Sequence, residues 1–156
     1  MPSFQLVGLA PESFAPLFDL SDRELAAQGA RRVIADERPG FPCRVSLVDA
    51  AIGEELLLLP YAHHRVSSPY QASGPIFVRR GATQGVLEAG NVPDYVSGRL
   101  ISARAYDRDD MMIDAEVCEG TAVTMQLDRL FRDPKVEYIH LHNARRGCYS
   151  CLARRA

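Results

Sequence analysis

The sequence predicts one α+β domain over residues 1–156, with a mostly antiparallel sheet and two main helices. Three observations carry this. Short apolar runs alternate with turn residues, only two stretches show helix signals, and the strand connections read as hairpins rather than as repeated strand–helix–strand units. A chain of this length buries about 70% of its unfolded surface, so it folds without needing a disulfide or a metal.

The first strand is expected over Phe4–Leu9, ended by Pro11. Ser21 and Glu24 stand at capping-box spacing and open a short helix, which Gly29 closes. Arg31–Glu37 reads as a strand, and Pro39-Gly40 has the chemistry of a type II turn. Phe41–Leu47 leads into a loop holding Asp49 and Gly53. Leu56–Tyr61 is an apolar run of the length of a strand buried on both faces. His63–Gly74 is expected to be a long polar connection, followed by a strand at Pro75–Arg79 and a glycine-rich loop from Gly81 to Pro93.

Gly98–Tyr106 and Met111–Cys118 flank the acidic turn Asp107–Asp110 as a hairpin. The clearest helix begins at Gly120-Thr121, repeats its apolar face at Val123, Leu127, Leu130 and Phe131, and stops at Asp133-Pro134. Val136–His142 alternates as a strand, and a turn at Ala144–Gly147 precedes a short tail.

The net charge of −2 argues against a nucleic-acid binder or a protein drawn to membranes by charge. Within that balance the tail is basic: after residue 140 come Arg145, Arg146, Arg154 and Arg155 and no acid. The N-terminus lacks a signal-peptide pattern, and the longest aliphatic run, Leu56–Leu59, is too short to span a bilayer. Cys43, Cys118, Cys148 and Cys151 are then expected as reduced thiols of a cytoplasmic protein. Oligomeric state is left open.

The densest set of reactive side chains lies in the tail. His140 and His142 leave the same face of a strand, about 6.5–7 Å apart, while Ile139 and Leu141 take the core side. Five residues later comes Cys148-x-x-Cys151. A strand histidine pair facing such a cysteine pair offers the four N/S ligands of a zinc site, although the spacing is not that of a common finger. The same cysteines could instead serve redox chemistry, but only five residues follow Cys151, too few for the helix of a thioredoxin-type motif. The plainest reading makes them small half-buried thiols beside hydrogen-bonded histidines.

A second cluster runs from His63 to Pro75. A Ser73-Gly74-Pro75 turn can aim backbone N–H groups at an anion, and Arg44, Arg79 and Arg145 could clamp it. His64 and Tyr70 complete this candidate pocket for a carboxylate or phosphate. Adjacent residues of an extended chain face opposite ways, so at most one of His63 and His64 joins a given site. The two clusters become one if the tail strand pairs beside Pro75–Arg79. Asp107–Asp110 lacks the glycine and glutamate of a calcium loop, and no P-loop, dinucleotide fingerprint or nucleophile elbow is present.

Three stretches in order, Gly40-Phe41-Pro42-Cys43-Arg44, Ser68-Pro69-Tyr70 with Ala72–Phe77, and Ile139–Ala144 with Gly147–Cys151, resemble the family called domain of unknown function 1203. The resemblance implies a bacterial single-domain protein and brings no activity, cofactor or catalytic residue with it. Three function classes therefore stand: a domain binding a small anionic metabolite, a zinc- or thiol-dependent enzyme or sensor, and a structural or protein-interaction domain.

Overall fold

The computed structural model describes residues 2–156. In chain order the strands are β1 (Phe4–Val7), β2 (Arg31–Ile34), β3 (Pro42–Cys43), β4 (Val48–Asp49) and β5 (Glu55–His64). They continue as β6 (Ala72–Arg79), β7 (Leu100–Tyr106), β8 (Met112–Glu119), β9 (Tyr138–Asn143) and β10 (Tyr149–Arg155). The helices are α1 (Asp22–Ala27), the single turn α2 (Asp94–Ser97) and α3 (Val123–Phe131).

Ten strands sort into two five-stranded sheets. The first has the order β1-β10-β9-β7-β8 and the second β2-β5-β6-β3-β4. Every pairing is antiparallel except β3 with β6, so the fold is α+β and antiparallel-rich. Among the described residues, no helix is long and apolar enough to cross a membrane.

Periodicity explains the first sheet. Val123, Leu127, Leu130 and Phe131 form one stripe of α3 and bury against Ile101, Ala103, Ile139 and Leu141. Small side chains at Ala103 and Ala105 leave room for that helix. On the second sheet, Leu57, Leu59, Ile76 and Val78 bury under Phe14, Phe18 and Leu25, which come from two 3-10 turns and α1. The expected capping box holds α1: Ser21 Oγ accepts from the Glu24 amide, and the Glu24 carboxylate accepts from the Ser21 amide. Gly29 closes the helix at φ +74°.

Several elements differ from the expectation. β5 and β6 reach past Tyr61 and begin before Pro75, so Gly74 and Pro75 are paired strand, opposite Tyr61 and Pro60, and Ser73 sits at the bulge. The Gly74 amide therefore belongs to a sheet ladder and not to an anion-cradling turn. Gly40 does not take a positive φ, so the expected type II turn is absent. The tail is longer in structure than it reads: β10 is a seven-residue strand, inserted between β1 and β9.

Two irregularities position the site. In β10 the register shifts between Tyr149 and Cys151: Tyr149 pairs with His142, but Cys151 pairs with Leu141. Two residues apart would normally share a face; the bulge sends Tyr149 to the histidine face and Cys151 into the core. In β5 the register shifts between Tyr61 and His64, with Tyr61 opposite Gly74 and His64 opposite Ala72. That extra residue lets both His63 and His64 turn toward the first sheet.

Candidate functional site

All four histidines of the chain meet where the end of β5 crosses the first sheet. His63 stacks on Tyr149 with ring centroids 5.4 Å apart and stands 5.0 Å from His142. His64 lies 4.2 Å from the Tyr106 ring and 5.1 Å from His140. The expectation that only one of the adjacent pair could join a site is thus corrected by the β5 bulge. His140 and His142 do share a face, opposite Ile139 and Leu141, but that face is covered: they are 6% and 1% exposed.

Burial governs the charge of this layer. Desolvation, then the fields of His64, His142 and other neighbours, brings His140 down to about 3. Burial likewise brings His142 down to about 4, against an opposing hydrogen bond from its Nδ1–H to the Gly147 carbonyl. His63 is lowered too, by burial first and then by His64 and Arg104. His140 and His142 are therefore neutral at pH 7.

His64 is held in a chain of hydrogen bonds. Its Nδ1 donates to the Tyr70 carbonyl at 2.7 Å, its Nε2 meets the Tyr138 hydroxyl at 2.6 Å, and that hydroxyl lies 2.6 Å from Asp110 Oδ1. Both imidazole nitrogens are occupied, which leaves none for a ligand. The Tyr70 side chain points outward, and only its backbone takes part.

The tail quartet does not assemble as a zinc site. Cys151 lies in the core between the sheet and α3, while His140 and His142 face the other way. Among the described residues, no three histidine, cysteine or acidic side chains are arranged around a common ion position. Burial pushes Cys151 up to about 12, with smaller opposing contributions from Ser150 and Arg44.

Arg44 is the feature with the most chemical consequence. It opens the Arg44–Leu47 turn of the β3–β4 hairpin and is 1% exposed. Leu47, buried in the first sheet's core, takes φ +59° to close that turn. The guanidinium Nε donates to the Tyr149 carbonyl at 2.7 Å and Nη1 to the Pro42 carbonyl at 2.6 Å. Nη2 donates to Cys148 Sγ at 3.1 Å. None of the carboxylates among the described residues pairs with it. Nearby Arg99 shows the contrast, since Asp49 holds it at 2.6 and 3.0 Å.

Two cavities of about 370 Å³ each flank Arg44. One lies between the sheets, walled by His63, Ser73, Pro75, Phe77 and Tyr149, and no acid lines it. The other opens toward Asn143 and Arg145, with Glu37 and Glu119 on its rim. Arg44, Phe77, Arg146 and Cys148 border both. The tail and the second cluster do meet, therefore, through packing of one sheet on the other; β10 pairs with β1 and β9, not with β6.

Of the residues singled out from sequence, Arg44, Ser73, Gly74 and Cys148 line the cavity between the sheets, and Arg145 lines its neighbour. Arg79 stays apart, paired with Glu54 at 3.3 Å at the far end of β6. Sequence reasoning missed Arg146, Asn143, Tyr149 and His63. Arg146 belongs to the basic tail that was noticed, and it is exposed with no carboxylate partner among the described residues. Tyr149 and His63 depend on the two bulges, for which the sequence offers no signal.

A family model described as "Protein of unknown function (DUF1203)" matches residues 40–155, and the chain belongs to that family. The matched span takes in the whole set around Arg44 and leaves out β1, α1 and β2. No curated protein and no solved structure matches.

Proposed function

We propose that this member of the family binds a small anionic metabolite, a carboxylate or phosphate, in the cavity between the sheets. The observation that carries the reading is Arg44: a buried guanidinium bound only by carbonyls and a thiol. A guanidinium has five N–H donors, and three are accounted for, so two remain for a ligand. Removing such a charge from water without a counter-charge costs several kcal/mol, and an anion in the adjoining cavity offsets that cost. Exposed Arg145 and Arg146 stand at the entrances and favour the approach of negative ligands. Ser73 lines the same cavity on the β6 wall and is neutral.

The test is thermal unfolding in inorganic phosphate and in a series of small mono- and dicarboxylates at constant ionic strength. A ligand at a hundred times its Kd stabilises by about 2.7 kcal/mol, which raises the midpoint of a domain of this size by roughly 5–10 °C. Arg44→Met should remove the shift. Arg146→Glu, at an exposed position, should weaken it while leaving the unliganded midpoint in place. Equal shifts in the wild type and both variants, or none in the wild type with any anion of the series, would defeat the proposal.

A further inference from the structure

We infer that Cys148 is the reactive nucleophile of this site, and that the ligands it accepts are small carboxylates or phosphates bearing an electrophilic carbon. The inference rests on the anion-binding reading above and goes beyond it in assigning a covalent step. Of the four thiols, only Cys148 combines access with a cation. Cys43 and Cys151 are sealed in the two cores. Cys118 is partly accessible, but burial and then Glu116 and Glu119 raise it, which suppresses its thiolate. Cys148 borders both cavities and takes the Arg44 Nη2–H on sulfur at 3.1 Å. A guanidinium is donor only, so this contact places positive hydrogen against the sulfur lone pairs, the environment in which reactive cysteines are found.

A second observation points to a ligand on the outer side of the same sulfur. Asn143 lines the outer cavity beside Cys148 and is 9% exposed, yet its Oδ1 has no hydrogen-bond partner. Its Nδ2 faces the same sulfur at 3.8 Å. A buried acceptor without a donor costs about 1–3 kcal/mol, and a ligand carrying an N–H or O–H group satisfies it. The assembled site then has a cation for the anionic end, a sulfur beside it, and an acceptor for a donor group.

The step balances without a further reactant. The thiol proton leaves to solvent, the sulfur pair forms an S–C bond, and the leaving group departs with the pair of the bond it breaks. Arg44 holds the anionic end throughout and neither gains nor loses a proton.

Iodoacetate and iodoacetamide separate the two claims, because they carry the same electrophilic carbon and differ by a negative charge. With simple thiols the neutral reagent is the faster. On the full-length protein, with alkylation at each cysteine followed by peptide mass spectrometry, Cys148 should be modified first by both reagents. Its iodoacetate-to-iodoacetamide rate ratio should exceed that of free cysteine by about tenfold, from local concentration of the anion. Arg146→Glu should bring the ratio back toward that of free cysteine, and inorganic phosphate should slow the iodoacetate reaction. Cys148 reacting no faster than Cys118 overturns the nucleophile, whatever the phosphate-induced thermal shift shows about anion binding. Fast Cys148 alkylation with the ratio of free cysteine overturns the anionic substrate class, while the phosphate-induced thermal shift decides the anion-binding reading by itself.

Discussion

Taking the protein from pH 7 to pH 5 should weaken the contact between the two sheets, through His140 and His142. Each has its proton affinity depressed in the folded state, to about 3 and about 4, chiefly by burial. In the unfolded chain each returns to about 6.5. Between those values the unfolded state binds more protons than the folded one, so stability is full above pH 6.5 and falls as pH drops. Going from pH 7 to pH 5, each histidine removes about 2 kcal/mol, and the pair about 4 kcal/mol. That is a large part of the 5–15 kcal/mol typical of a whole domain. The window is chosen to exclude Glu55, whose hydrogen bonds to Arg80 and Arg32 lower its proton affinity, so that its contribution is lost only at pH values below the ordinary glutamate range. Urea unfolding at half-unit pH steps measures the slope. His140→Phe, which keeps a ring against Tyr149, Tyr106 and His64, should lower that slope by close to one proton between pH 6 and pH 5. A wild-type stability flat to within about 0.5 kcal/mol across the window, well under the effect of one histidine, would show that His140 and His142 are not held neutral and refute the reasoning.

Four further outcomes are expected. Tyr138→Phe removes the hydroxyl between His64 and Asp110 and should lower stability by about 1–3 kcal/mol in urea unfolding, since both partners lose a bond in a partly buried setting. Gly8→Ala would put a Cβ 2.1 Å from the Val45 carbonyl oxygen, next to the Arg44 turn. Its relief requires the backbone to move, so both the thermal midpoint and any phosphate-induced shift should fall. Leu127→Ala should cost about 2–5 kcal/mol by opening a cavity between α3 and the first sheet, measured by chemical denaturation. Ser21→Ala removes the cap of α1 and should cost about 1 kcal/mol, a deliberately small effect that calibrates the others.

Much of the fold was legible because its local signals agree. The α3 stripe, the Ser21 and Glu24 cap, the Asp107–Asp110 hairpin and the alternation along β9 each follow from spacing alone. What could not be read was set by register. Alternation put His140 and His142 on one face correctly, but nothing in it says that β5 would cover that face. The inserted residues at Ser150 and between Tyr61 and His64 reverse parity locally, which separated Cys151 from the histidines and brought His63 in. Arg44 was noticed for its charge and its neighbours. Its burial depends on β10 lying against the β3–β4 turn, a contact about a hundred residues away in sequence.

The two bulges and the lone arginine point the same way. A bulge interrupts a ladder and leaves a residue unpaired, so two of them at one junction weaken the sheets where strength is easiest to provide. Beside them stand a buried cation with no acid, an asparagine oxygen with no donor, and unpartnered nitrogens on His63, His140 and His142. Each is a local conflict of the kind that a purely structural junction would resolve with leucine or phenylalanine, as α3 and the first sheet do on the opposite face. The cores under α3 and under the 3-10 turns are apolar and filled; Arg32, Arg79, Arg80, Arg99 and Arg129 each have a carboxylate, while Arg104, Arg154 and Arg155, all more exposed than Arg44, bond to hydroxyl, amide or backbone oxygens. Arg44 is set apart as the arginine that is buried without a carboxylate, and that is the feature the proposed anion would answer.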